Sequence, residues 1–270
     1  MTNVADGSKI FEDWVTILTT LPSVPLPPNS QRPPFETERL IIRHPIEEDL
    51  EALHELRTQP EVMINTRRAL VDDDLEFTRG RLTPFLTPGD ANTFNFTICL
   101  REAGDNRLIG IGGVYSLSSV FGWPEIGYMF SKHHWGKGYA TEFVRGFLHL
   151  YSQLPRPEKP IPLRVARASL PADLAAKAGP GVKEKGDEAA NEPAALAATV
   201  TPDTVVVEEI LTALITDENL VSQGVSRKNG LEKVFKFQED DSRYPGTGIQ
   251  IVVNFLQHFP TRKTQQAVEA

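Results

Sequence analysis

Apolar residues recur along the chain in two rhythms, and the change from one to the other predicts where the elements fall. Ile10, Phe11, Trp14, Val15, Leu18 and Leu21 follow helical spacing, which predicts an amphipathic helix over residues 9–21. Six prolines then fall between Leu21 and Phe35. Proline fixes φ and lacks a donor, so 22–34 reads as a stiff connector. From Phe35 the spacing shortens. Residues 39–43 alternate as a strand, and Pro45 opens a helix whose dipole favours Glu47, Glu48 and Asp49, with Leu50, Leu53 and Leu56 as its apolar face. A second helix is expected from near Asp72, with Leu75 and Leu82 inward, closed by Pro84 and Pro88. Phe94, Phe96, Ile98 and Leu100 alternate with polar partners, Gly104-Asp105-Asn106 turns, and 108–115 returns as the second arm of a hairpin. An apolar strand over 126–130, a glycine turn and a helix over 143–151 follow. That crossover helix needs a further parallel strand to return to.

The strand comes late. Residues 155–203 are rich in Pro, Ala, Gly, Lys and Glu, and no aromatic residue occurs from Ser152 to Lys233. Such a stretch buries too little to offset its ordering entropy and is expected to be an inserted, largely disordered loop, with 163–170 the part that could be locally ordered. Order resumes with Val205-Val206-Val207 and Ile210-Leu211, a buried strand over 205–216. A short helix over 220–228 ends at Gly230, and 231–237 with 249–255 form a last hairpin around Pro245-Gly246. The expected organisation is a helix and connector over 1–34, one α/β (α+β) domain over 35–259 carrying the insertion, and a polar tail over 260–270.

Composition narrows the function classes. The 270 residues carry 36 acidic and 28 basic side chains for a net charge of −8, with no concentrated basic stretch, so a nucleic-acid footprint is absent. Cys99 is the only cysteine, which excludes an intramolecular disulfide and a thiolate metal cluster. No apolar run approaches the roughly 20 residues of a membrane span, and 1–9 lack a basic region leading into an apolar one. A cytoplasmic protein with no membrane partner is expected. His133-His134 resemble metal ligands only at first sight: adjacent side chains diverge, so surface histidines are expected and no metal site.

The chemistry concentrates in Trp135-Gly136-Lys137-Gly138-Tyr139-Ala140-Thr141-Glu142, which reads as strand, glycine turn, helix start. A helix N-terminus presents unpaired N–H groups and the positive end of its dipole, and glycine lets a phosphate approach. The stretch is neither a Walker A loop nor a dinucleotide fingerprint, since Thr141 stands where the third glycine belongs.

Three groups of residues together resemble the GNAT superfamily of acetyl-coenzyme A dependent N-acetyltransferases, and within it the RimJ/RimL-type branch. Glu36-Thr37-Glu38-Arg39-Leu40-Ile41-Ile42-Arg43 is similar to that branch's first strand. Glu125-Ile126-Gly127-Tyr128 and the glycine turn resemble its pyrophosphate loop. Asn219, Ser222 and Lys228-Asn229-Gly230-Leu231 match its Asn-x-x-Ser and Asn-Gly-Phe spacing. The resemblance implies a mixed, mostly antiparallel sheet in which two parallel strands splay apart to admit a pantetheine arm. It implies coenzyme contacts at Trp135, Gly136, Lys137, Gly138, Tyr139, Ala140, Thr141 and Asn219. There are departures: Trp135 replaces Gln or Arg at the head of the loop, Leu231 the terminal aromatic, Ser226 the tyrosine proton donor, and Leu214 a strand carboxylate that some relatives use as base.

Two residues remain for the acid–base work. Glu125 lies in an apolar strand, where a carboxylate is costly without a partner or a wet cleft, and is the first candidate for the base; Glu239, Asp240 and Asp241 are its rivals. Ser222 is either a helix N-cap or, as the resemblance suggests, the proton donor to the departing thiolate. Two functions follow: acetyl transfer from acetyl-CoA to a primary amine, a protein N-terminus or a small molecule, by direct attack in a ternary complex; or a catalytically silent acyl-CoA-binding sensor or scaffold. No nucleic-acid partner is expected, and homodimerisation is left open.

Overall fold

A computed structural model describes residues 4–6, 10–66, 68–102, 104, 106–186 and 193–260. In chain order the elements are β1 (Val4–Asp6), β2 (Trp14–Thr19), β3 (Phe35–Glu36), β4 (Leu40–Arg43), α1 (Leu50–Arg57), α2 (Pro60–Met63) and α3 (Leu75–Leu82). Next come β5 (Phe94–Leu100), β6 (Leu108–Ser116), β7 (Glu125–Phe130), α4 (Tyr139–Ser152), β8 (Ile161–Ala166), α5 (Ala172–Lys177) and α6 (Pro193–Ala197). The chain continues through β9 (Leu211–Thr216), α7 (Leu220–Lys228), β10 (Glu232–Asp240) and β11 (Gln250–His258).

Among the described residues nine strands form one mixed sheet in the order β1-β10-β11-β9-β7-β6-β5-β4-β3, and β2 pairs with β8 in a separate ribbon. All neighbours in the large sheet are antiparallel except β1–β10 and β7–β9. This is the mixed, mostly antiparallel sheet with flanking helices that the sequence implies. Alternation along the strands gives the sheet two unlike faces. Phe94, Phe96, Ile126, Phe130 and Leu256 pack against Phe143, Val144 and Phe147 of α4 and Val225 of α7. The opposite face is covered in two parts. Leu50, Leu53 and Leu56 of α1 and Leu82 of α3 lie over Leu108 and Ile111. The β2–β8 ribbon lies over Phe237, Val253 and Phe255.

That ribbon overturns two expectations. The helix expected over 9–21 gives way to a strand: Trp14–Thr19 pairs antiparallel with Ile161–Ala166 from Trp14↔Ala166 to Thr19↔Ile161. The run Val15-Thr16-Ile17 is β-branched and suits a pleated surface, so once a partner strand is present it overrides the helical spacing. The partner comes from the segment expected to be disordered. Val165 and Ala166 are fully buried, the Trp123 indole donates to Ser169 Oγ at 2.9 Å, and Arg156 and the buried Glu209 form an ion pair that ties the two ends of the segment together. The segment has no aromatic residue because it receives them: Trp14, Phe121, Trp123, Phe237 and Phe255 supply the rings it packs on. Residues 187–192 and, of the tail expected over 260–270, residues 261–270 lie outside the described residues.

Smaller differences have local causes. The proline segment is pinned down: Leu26 is buried, Asn29 donates to Phe85 O and Asp90, and Arg32 stands over the Phe94 ring. Leu75 points outward, since Asp74 caps α3 and turns Thr78 and Leu82 inward. The late strand is shorter than expected, because Val206 reaches only an isolated bridge to Leu18 before β9 begins.

Candidate active site

The parallel pair β7–β9 meets at one point. Glu125 pairs with Thr212, whose amide and hydroxyl both donate to Pro124 O at 2.9 Å, and beyond that the strands diverge. Divergence leaves backbone groups of Gly127 to Phe130 and of Ala213 to Thr216 facing a gap. The gap opens into a cavity of about 700 Å³ lined by Glu125, Ile126, Gly127, Tyr128 and Met129 on one side and Ala213 to Thr216, Asn219, Ser222 and Ser226 on the other.

Glu125 stands at the apex, 5% exposed, and accepts a hydrogen bond from the Tyr115 hydroxyl. Tyr115 reaches it because β6 slips register between Val114 and Ser116, a bulge that re-aims the ring toward β7. Asn219 and Ser222 sit at the far lip. Asn219 is the N-cap of α7, its Oδ1 accepting from the Ser222 amide at 3.0 Å. The capping role open to Ser222 therefore belongs to Asn219, which leaves the Ser222 hydroxyl available to the cavity. Beside it lies the phenol of Tyr128; burial pushes its pKa up, and the Ser222 hydroxyl pulls the other way. Glu239, Asp240 and Asp241 line the outer end of the same cavity. Asp241 is held by Arg243 at 2.6 Å, and hydrogen bonding from that guanidinium lowers its pKa, which suits it poorly to the role of base.

The glycine turn lies outside this lining, at the N-terminus of α4. Gly136 and Gly138 have φ of +73° and +83°, a conformation side chains with a Cβ rarely adopt. Among the described residues no backbone N–H from Gly136 to Thr141 donates to a backbone carbonyl, so the six amides remain for an anion, and this is the observation that fits a pyrophosphate there. The turn is braced from both sides. The Trp135 indole donates to Phe130 O at 2.7 Å, so its contact in this structure is structural. Arg39 donates to Lys137 O at 2.8 Å, lies over the Tyr139 ring, and pairs with Glu142 at 2.7 Å. Glu142 also accepts from Thr37 Oγ1 and the Arg39 amide; burial works to raise its pKa, but these donors outweigh it and hold it below the ordinary value. Ala140 packs against the core under α4, and Lys137 meets the brace through its carbonyl. His133 and His134 stand in the preceding turn; burial, then Lys137 and His133, lower the pKa of His134.

The structure thus brings Glu125, Asn219, Ser222 and the 239–241 carboxylates to one cavity, with the turn at the neighbouring helix end. Sequence reasoning missed Tyr115, whose meeting with Glu125 depends on a bulge, and left Tyr128 without a role although it stands in the quoted motif. It also missed Arg57, Arg68 and Arg81, which line the outer wall.

Comparison with protein families matches residues 39–232 to the acetyltransferase (GNAT) domain. An uncharacterized N-acetyltransferase, p20, of Bacillus licheniformis is 31% identical over 114 residues, 40% of this chain and 60% of that protein, so the match spans less than two thirds of that relative's length. Among solved structures, a GNAT-family acetyltransferase from Bacillus anthracis has a TM-score of 0.53 at 18% identity, over 85% of this chain and all (100%) of the other. The ribosomal-protein α-N-acetyltransferase RimL in complex with coenzyme A gives 0.54 at 13%, over 84% and 97%. A spermidine N-acetyltransferase from Vibrio cholerae in complex with coenzyme A and spermine gives 0.53 at 11%, over 83% and 98%. At such identities these structures establish the shared fold. No helix among the described residues is long and apolar enough to cross a membrane.

Proposed function

Because the chain belongs to the GNAT acetyltransferase family, we propose that it is an N-acetyltransferase moving an acetyl group from acetyl-CoA to a primary amine by direct attack in a ternary complex. The observation that carries the reading is the strand pair that meets only at Glu125 and Thr212 and opens beyond it into the cavity. Acetyl-CoA supplies an activated thioester. The amides of Gly136 to Thr141 hold its pyrophosphate, Asn219 contacts it at the start of α7, and the diverging edges of β7 and β9 offer backbone partners to an extended arm. Trp135, Lys137, Tyr139 and Ala140 shape that turn. Glu125, oriented by Tyr115, takes a proton from the amine, directly or through water. The nitrogen–carbon bond forms, the carbon–sulfur bond breaks, and the Ser222 hydroxyl gives a proton to the thiolate, with Tyr128 behind it as a second protonated group.

The acceptor is a protein N-terminal α-amine or a small-molecule amine, in the manner of the RimJ/RimL-type branch that the sequence resembles. An α-amine has a reference pKa of about 8 against about 10.4 for lysine, so one buried carboxylate suffices to deprotonate it. Leu214, in place of a strand carboxylate, favours a second reading, a silent acyl-CoA-binding module.

Release of coenzyme A from acetyl-CoA across an amine panel separates the two: turnover supports the enzyme, and binding without turnover the module. Glu125→Gln should lower the rate most at low pH, where the amine is protonated, and converge with the parent at high pH. Ser222→Ala should lower kcat by about 10²-fold or more while leaving acetyl-CoA affinity nearly unchanged. An unchanged pH profile in the glutamine variant would move the base to Glu239 or Asp240.

A further inference from the structure

The outer end of the cavity has two walls of opposite charge. Arg57 of α1, Arg68 of the loop before α3 and Arg81 of α3 line one wall, and Glu239, Asp240 and Asp241 line the other. The basic wall is built. Arg57 and Arg68 share the buried carboxylate of Asp72, at 2.6 and 3.3 Å, and Thr78 donates to the same carboxylate. Phe77 carries Arg68 4.0 Å and Arg81 4.9 Å from its ring centroid, so one aromatic ring positions two guanidiniums. The charges do not cancel. Arg57 and Arg68 pair with Asp72, and Arg68 also reaches Asp73, whose side chain is 73% exposed. Arg81 forms no ion pair with any described residue. On the acidic wall Arg243 is committed to Asp241 and Glu218.

We infer that the acceptor carries an anionic group, a carboxylate or phosphate, on the same scaffold as its amine, with the anion held by the arginine wall and the amine directed toward Glu125. This rests on the transferase reading and specifies its substrate class. An ammonium is repelled by the guanidiniums and drawn toward Glu125, which deprotonates it, and a planar guanidinium fork suits an oxyanion. A polycation such as a polyamine meets the arginine wall with the wrong sign.

The test uses matched acceptors on the full chain. Ethanolamine is compared with O-phosphoethanolamine, and the C-terminally amidated peptides Ser-Glu-Ala, Ser-Gln-Ala and Ser-Lys-Ala with one another. The expected result is a kcat/KM about tenfold or more higher for the anionic member of at least one set, the set showing whether the anion belongs to a small molecule or a peptide. Arg81→Gln, chosen because Arg57 and Arg68 also hold Asp72, should shrink that preference through KM of the acceptor, with thermal melting reporting that the fold is retained. Equal rates within both sets, or a preference for the cationic peptide, overturn the inference and leave the transferase standing. If Arg81→Gln instead raises KM for acetyl-CoA, the wall serves the coenzyme and the inference is overturned. Absence of turnover with every amine overturns the transferase reading and this inference together.

Discussion

The two structures that frame the sheet, the braced glycine turn at α4 and the β2–β8 ribbon, depend on different physics. The turn is local. Its shape comes from two residues at positive φ and from a helix that begins three residues after the first of them, so its chemistry is written within eight residues. The ribbon is assembled from strands about 150 residues apart, neither of which can bury its apolar face alone. It is held by the aromatic surface of β10, β11 and the β6–β7 connection. The turn is therefore sensitive to a single Cβ, and the ribbon to whole segments.

The sharpest way to break the comparison is to excise residues 155–202 with a short flexible linker. Were the segment a dispensable loop, folding and coenzyme A binding would survive. The structure predicts loss of soluble, cooperatively folded protein, because Trp14, Phe121, Trp123 and Phe255 would be uncovered together and the Arg156–Glu209 ion pair lost. Circular dichroism melting and gel filtration measure it, and a cooperatively folded deletion would show the ribbon to be an accessory.

Gly138→Val probes the turn. A β-branched residue at φ of +83° costs about 1–2 kcal/mol of folding stability, and its Cβ would stand 3.3 Å from Arg39 Nη2. Coenzyme A affinity should fall by about tenfold or more, measured by calorimetry. Unchanged affinity would place the phosphate site elsewhere.

The smallest effect sharpens the comparison by pH. Glu142 braces the turn with a pKa held below its unfolded value near 4.5, so its contribution is complete above that value and disappears as pH falls through the lower folded one. Glu142→Gln should cost about 1 kcal/mol at neutral pH, the partly exposed Arg39 limiting the gain, and the gap to the parent should close in acid. A gap that persists in acid once the parent's carboxylate is protonated would mean that shape rather than charge holds the brace.

What was legible in the sequence follows the same division. Short-range patterns located β4 to β7, α4, α7 and the final hairpin, and Glu125, Asn219 and Ser222 meet at one cavity because β7 and β9 are neighbours in the sheet although β8, α5 and α6 intervene along the chain. The strand in residues 14–19 was misread as a helix because apolar positions at helical spacing and a β-branched run coexist there, and only a partner strand decides between them. The insertion was misread because burial was judged from its own residues, whereas its core is lent by aromatics elsewhere in the chain.

By itself the sequence determined the elements whose shape is a backbone matter: the glycine turn, the short helix that Gly230 ends, and the alternation that gives the sheet its two faces. Tertiary structure decided what depends on distant partners: the bulge that brings Tyr115 to Glu125, the ribbon, and the arginine wall around Asp72 and Phe77. The physical reason is range. Backbone conformation and capping act over a few residues, whereas burial and charge act through space and ignore separation along the chain.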